Sequence, residues 1–348
     1  MSSNRRRRAE TILILFLLES SLNIYGAQPS HEGEKLILPK VRISQSAIAI
    51  NSAPLWIAQG QGFFAKYGFE AEIIYVRSST LQMAALATGQ VQISITGGTP
   101  LLAAAAAGQD IKIVSSTANR VTSNLVARPE ISKPEDLRGK RFGVSIIGGT
   151  SWMEALLALK RLGLDPARDG IQIIAVGGQS IRANALETGT IDATLLTPLF
   201  SRGLKQKGFR ILMEASQVNI PFLNMGVVAS SAYLREKPDI VEAILKALIE
   251  AQAFIGSTGN KASVIKTLMY HMKISDRTFA EEGYREIATE LEKKHYPSLE
   301  GLRNIQTLMA LVNPKVASIK VENLIDSRFI RKLNESGFID KLYGSSGG

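Results

Sequence analysis

Leu86-Ala87-Thr88-Gly89-Gln90-Val91-Gln92 and Leu186-Glu187-Thr188-Gly189-Thr190-Ile191-Asp192 lie one hundred residues apart and spell the same local structure twice. Each reads as the end of a helix, a Gly that stops it, and the start of a strand. Each strand then runs into Thr-Pro-Leu, at Thr99-Pro100-Leu101 and at Thr197-Pro198-Leu199. Proline in a first helical turn is a start signal, because the N–H it lacks has no partner there anyway. The repeated unit is strand-to-helix, and each copy aims a helix N-terminus at the carboxyl end of a sheet. Ligands of open α/β sheets sit at that end. Two copies therefore predict two lobes with a small-molecule cleft between them.

Working outward, the first copy belongs to a series of strands and helices. Val41 to Ser44 alternates as a strand, a helix starts near Ser52-Ala53-Pro54, and Glu70 to Val76 is a second strand. Ser78-Ser79-Thr80 starts the next helix, Val91 to Ile95 is a third strand, and Ile111 to Val114 a fourth. The βαβαβαβ order predicts a parallel sheet. The second copy sits in a similar series from Pro129 to Met213. Asn224 to Ser230 is β-rich, and if it returns to the first lobe the second is an insertion. The chain would then cross twice, near 120–128 and 217–226, forming a hinge. The remainder reads as helical. These boundaries give a signal segment over 1–27, a lead over 28–39, lobe 1 over 40–126 plus 225–343, and lobe 2 over 127–224.

Composition narrows the class. A chain of 348 residues exceeds one ordinary core, and 45% hydrophobic with 21% charged residues is normal for a globular protein. The net charge is +10, of which residues 1–27 carry +2 through four Arg and two Glu. The rest is spread without a Lys/Arg block, so no nucleic-acid partner is expected. The chain has no Cys, which excludes disulfides, thiolate metal sites, Cys nucleophiles and a lipid-anchor Cys. Arg5 to Arg8, the apolar run Ile12 to Leu18 and the small residues Gly26-Ala27 read as a cleavable export signal.

The candidate site is a set of helix starts: Ser52, Ser79-Thr80 and Gly98-Thr99 in the first lobe, and Gly149-Thr150-Ser151, Gln179-Ser180 and Thr197 in the second. Each offers unpaired backbone N–H groups and about half a positive charge, which together suit an oxyanion. Plain helix capping explains any single one; their number and their place after strands carry the case. Arg77 and Arg120 end strands and are candidate anion partners, although either also reads as a solvated surface Arg. Trp152 reads equally as a pocket wall or as core, and Trp56 as core. Gly60-Gln61-Gly62-Phe63-Phe64-Ala65 matches a dinucleotide fingerprint but closes a helix, so it reads as a C-cap turn. His31, His271 and His295 lie away from the expected cleft, and its loops offer almost no acid/base group. No metal and no cofactor are expected.

Ser52 to Phe64 resembles the first helix of the sulfonate/nitrate/taurine-type solute-binding proteins of ABC importers, which are related to thiamine-precursor synthases. Leu86 to Gly98, the Ala-rich helix before Gly108, Asp136 to Arg141 and Leu186 to Ala193 fit that family in order. The resemblance covers roughly residues 41–255. It implies an α/β, two-lobed periplasmic-binding-protein fold of type II: two Rossmann-like lobes, a two-crossing hinge and a helical C-terminal extension. It implies lobe closure on a small anionic or polar ligand, a periplasmic location, an ABC permease and ATPase at the inner membrane as partners, and no reaction. A monomer is expected. The implied ligand contacts are Ser44, Gln45 and Ser46 after the first strand, with Ser52, Ser79, Thr80, Gly98, Thr99, Gly149, Thr150 and Thr197. The Cys-rich motif of the synthases is absent. The rival readings are an enzyme on the same fold and a ligand-sensing module for a receptor.

Overall fold

The computed structural model describes residues 38–344, apart from Ala47, Ala49, Arg77, Leu291 and the side chain of Glu290. The expected signal segment, the lead up to Ile37, the candidate Arg77 and the tail after Gly344 lie outside the described residues. The first half runs β1 (Lys40–Gln45), α1 (Ala53–Gly60), α2 (Phe63–Lys66), β2 (Glu70–Tyr75), α3 (Ser79–Ala87), β3 (Ile93–Thr96), α4 (Gly98–Ala106) and β4 (Ile111–Arg120). The chain continues through β5 (Asn124–Ala127), β6 (Arg141–Val144), α5 (Thr150–Arg161), β7 (Gln172–Ala175), α6 (Gln179–Glu187), β8 (Ala193–Leu196), α7 (Pro198–Gln206) and β9 (Arg210–Met213). It returns in β10 (Pro221–Ser230). Seven helices follow: α8 (Ser231–Glu236), α9 (Pro238–Gly256), α10 (Lys261–Met272), α11 (Arg277–Glu290), α12 (Leu299–Ala310), α13 (Arg328–Glu335) and α14 (Phe338–Gly344).

Two five-stranded sheets result, ordered β2-β1-β3-β10-β4 and β7-β6-β8-β5-β9. The all-parallel expectation fails at one strand in each. β10 lies antiparallel between β3 and β4, and β5 lies antiparallel between β8 and β9. Both are the strands by which the chain passes from one sheet to the other. Such a strand enters directly, without the crossover helix that parallel pairing requires. The second sheet takes the chain from Asn124, and the first takes it back from Pro221.

β4 runs six residues beyond the apolar stretch that announces it. Its polar end is satisfied from the C-terminal region: Ser116 N–H donates to His295 O at 2.8 Å, and Asn119 Nδ2 donates to Tyr296 O at 2.7 Å. The side-chain oxygen of Asn119 accepts from Ser298 N–H at 2.8 Å. Tertiary partners thus extend a strand whose own composition would end it.

The two copies of the repeat fold alike. Gly89 and Gly189 adopt φ of 69° and 75°, the left-handed conformation that stops a helix and that Gly takes without strain. In the first copy Gln92 Oε1 accepts from Arg42 N–H at 2.9 Å. In the second Asp192 Oδ2 accepts from Arg141 N–H at 2.8 Å, and the Arg141 guanidinium returns to Asp192 Oδ1 and to Gly189 O, each at 2.7 Å. The fingerprint-like Gly62 is left-handed, with φ of 71°, in the turn between α1 and α2, as a C-cap should be. Trp56 is buried and stacks on His271 at 4.8 Å. Among the described residues no helix is long and apolar enough to cross a membrane.

Candidate functional site

A cleft of about 740 Å³ opens between the carboxyl ends of the two sheets. Of the candidates, Gln45, Ser46, Ser52 and Ser79 line it from the first half, and Thr150, Ser151, Gln179 and Thr197 from the second, with Ser180 beside them. The others stand outside its lining. Ser44 is fully buried and its Oγ lies 2.8 Å from Ser94 Oγ, joining β1 to β3. Thr80 is exposed one residue past the cleft edge. Gly98 is packed against Leu302 and Ile305 of α12. Thr99 Oγ1 faces Met153 Sδ at 3.6 Å. Gly149 sits under Ile146, Arg120 ends β4 and does not line the cleft, and Trp152 is buried in the core.

The helix starts that do reach the cleft are partly occupied by the protein itself. Thr197 N–H donates to Gln179 Oε1 and Leu199 N–H to Glu286 Oε2, both at 2.9 Å, so α7 carries two side-chain caps. Ser151 Oγ accepts from Ser145 N–H at 2.7 Å. What stays open is a pair of acceptors: Gln45 Oε1 and Asn51 Oδ1 are buried without a hydrogen-bond partner. Both belong to side-chain amides, which can turn to offer a ligand either their oxygen or their NH2.

The charged groups of the cleft are ones the helix-start reasoning misses. Glu154 on α5, Arg182 on α6 and Glu286 on α11 all line it and all are buried. All three stand on helices, whereas the expectation concerned the loops of the cleft. Glu154 is the fifth residue of α5 and Arg182 the fourth of α6, both beyond the capping positions. Glu154 Oε1 accepts from Asn224 Nδ2 at 3.0 Å, and Oε2 lies 3.5 Å from Ser123 Oγ. Burial pushes its carboxyl up to about 7; the pull of Arg182 and the two hydrogen bonds act the other way and are outweighed. The Arg182 guanidinium donates to Gly177 O at 2.7 Å, Thr194 Oγ1 at 3.1 Å and Leu195 O at 3.2 Å. Burial lowers its pKa, and Glu154 opposes that. A signal for Arg182 exists in the sequence: it stands one hundred residues after Gln82, in register with the repeat.

Among the described residues no His lines the cleft, and no group of His, Asp and Glu is placed to hold a metal ion. The arrangement can bind a small polar molecule with Arg182 as cation, two carboxyls as counter-charges and a rim of hydroxyls and amides.

The family described as NMT1/THI5 like matches residues 49–260. The taurine-binding periplasmic protein of Escherichia coli is 32% identical over 211 residues, 59% of this chain and 64% of that protein. The match thus spans less than two thirds of that relative's own length. A putative aliphatic sulfonates-binding protein of Bacillus subtilis is 26% identical over 246 residues, 69% of this chain and 71% of the relative. Among solved structures, the periplasmic aliphatic sulphonate binding protein SsuA of Escherichia coli superposes with a TM-score of 0.67 at 19% identity. That match covers 83% of this chain and 92% of SsuA. It shows a shared fold: two α/β lobes with a helical C-terminal region.

Proposed function

The chain belongs to the NMT1/THI5-like family, and from that footing we propose that it is an extracytoplasmic solute-binding protein of an ABC importer. It captures a small anionic or polar molecule of the sulfonate, taurine and nitrate class by closing two lobes on it, and hands it unchanged to a permease. The observation that carries this is a cleft lined, among the described residues, by hydroxyls and amides from both halves together with the buried Arg182 guanidinium. The same function is supported by the names of the relatives, a taurine-binding periplasmic protein and a putative aliphatic sulfonates-binding protein. In this reading the first sheet with the helices after β10 forms the first lobe and β5 to β9 with their helices the second, so that the sequence-derived boundaries at 126/127 and 224/225 fall inside β5 and β10. The segments joining β4 to β5 and β9 to β10 are the hinge. The residues that hold the ligand are Gln45, Ser46, Ser52, Ser79, Thr150, Ser151, Gln179 and Thr197, with Arg182 added.

The test is a melting curve of the exported chain with taurine, ethanesulfonate and nitrate in turn. A ligand at one hundred times its Kd adds about 2.7 kcal/mol to the folded state, and Tm rises accordingly. No shift with any of the three at millimolar concentration overturns the proposed ligand class. Glu154 also supports a second reading, an enzyme on this fold, since a carboxyl near 7 is suited to proton transfer. Turnover of a bound probe, read by mass spectrometry, would favour it; recovery of the probe intact excludes it.

A further inference from the structure

α11 is seated in one half of the molecule and bonded to the other. Ala280, Tyr284 and Ile287 bury its inner face in the core that also holds α1, α9 and α10. Gly283 lies so close to Ile50, in the turn before α1, that a Cβ there would strike the Ile50 side chain. From this seat α11 reaches α7 of the second half at three points. Glu286 Oε2 accepts from Leu199 N–H at 2.9 Å, Phe279 meets Phe200 edge to face with ring centres 6.1 Å apart, and Glu282 lies 3.8 Å from Arg202. The helix thus spans one end of the cleft, where Leu199, Phe200, Glu286 and Ile287 line it.

Glu286 takes the place at α7 that the anion of a ligand would take. Thr197 N–H is spent on Gln179, Pro198 has no N–H, and Leu199 N–H is spent on Glu286. A carboxylate on the first turn of a helix is a favourable pair, and a second anion cannot use the same amide. We propose that Glu286 is an internal stand-in for the anion of the ligand: through it α11 straps the two halves together across the empty cleft, and an arriving anion must displace it. An anion that left Glu286 in place would meet its charge instead, so both routes weaken capture. The contact is therefore autoinhibitory. Glu286 is its main tie, because it is buried, whereas Arg202 is 41% exposed and the pair it makes with Glu282 is screened. The competition rests on the anion capture proposed above, and the strap is tested without ligand, so the two can fail separately.

Small-angle X-ray scattering of the ligand-free exported chain reads the strap in wild type, Glu286→Ala, Glu286→Gln and Phe279→Ala. Wild type should have the smallest radius of gyration and the two Ala variants larger ones. Glu286→Gln keeps an acceptor for Leu199 and should fall between. Glu281→Ala removes only a pair with Arg277 inside α11 and should match wild type. Calorimetric titration with ethanesulfonate reads the competition. Glu286→Gln and Glu286→Ala should bind it about tenfold more tightly than wild type, since a charge-assisted hydrogen bond no longer has to be given up. A radius unchanged in both Glu286→Ala and Phe279→Ala, or an affinity that stays level or falls in both Glu286 variants, overturns the stand-in. Binding by none of the chains overturns the proposed ligand class, and the radius then decides the strap.

Discussion

The two copies of the repeat are built on one plan and differ at their buried polar positions. Gln82 in α3 donates its amide to Ser44 O and to Ile95 O, each at 3.0 Å, and so pins its helix to β1 and β3. Arg182 occupies the same place in α6 and pins its helix to Leu195 and Thr194 of β8. Counting from the N-caps Ser52 and Gly149, Glu154 corresponds to Ile57, which is fully buried. The second half has thus exchanged a neutral amide and an aliphatic chain for a guanidinium and a carboxyl, and both line the cleft. The plain first half shows that the architecture does not require these charges. Burying them is costly, so the repeat is asymmetric at these positions: the charges stand in the second copy, with Glu286 of α11 as the third charged group of the cleft.

The largest test of this comparison restores the symmetry. Arg182→Gln alone leaves Glu154 buried near no cation, and at pH 8 should cost about 4 kcal/mol of unfolding free energy in a urea titration. At pH 5 the carboxyl can hold its proton and the cost should shrink. Glu154→Ile combined with Arg182→Gln rebuilds the first-half pair and should recover most of the loss at pH 8. The coupling energy of that cycle measures the exchange itself. Additive effects of the two changes would mean that the residues do not act as a pair.

The halves also titrate in opposite senses. His295, whose carbonyl accepts from β4, is fully buried with both ring nitrogens unpartnered, and burial pushes its pKa from 6.5 down to about 4. A depressed His contributes stability that is present above pH 6.5 and lost as pH falls through 4. Glu154 is raised, so its contribution is full below its ordinary 4.5 and lost as pH rises through about 7. His295→Phe removes a group with no hydrogen bond to lose. It should be more stable than wild type at pH 3.5 by about 3 kcal/mol and close to it at pH 8. A variant with unchanged acid unfolding would show that another group sets that limb.

The architecture was legible because the features that build it are local. Gly stops, Thr-Pro starts and alternating strands are short-range signals, and the hundred-residue echo located both sheets before any contact was known. The antiparallel β5 and β10 were not legible, because strand direction depends on where a neighbour enters the sheet. Half of the candidate site fell outside the cleft for a related reason. A helix start says that amides are free, but not that Gly98 packs on α12 or that Glu286, from far along the chain, caps α7. The charged floor was hidden in helix positions that read as amphipathic pattern, although the Gln82 to Arg182 exchange was visible to anyone aligning the copies beyond their identical residues.

The smallest difference between the copies sharpens the comparison at the helix stops. Asp192 makes a two-pronged ion pair with Arg141, at 2.7 and 2.9 Å, where the first copy has the neutral Gln92 facing Arg42. The Arg141 side chain is 40% exposed, so screening limits what its charge contributes. Asp192 also accepts from the Arg141 backbone N–H, and that bond survives exchange of the carboxylate for an amide oxygen. Asp192→Asn gives the second stop a neutral amide, as Gln92 gives the first, and should cost about 1 kcal/mol at pH 7 and low salt. The Arg141 contact holds the Asp192 carboxyl below its ordinary value, so this contribution is present above the ordinary 3.8 and lost as pH falls through the depressed value. Wild type and Asp192→Asn should therefore converge in strong acid, and in 1 M salt their gap should narrow. A gap that neither salt nor acid alters would assign the cost to packing of the turn, and the charge there would be incidental to the repeat.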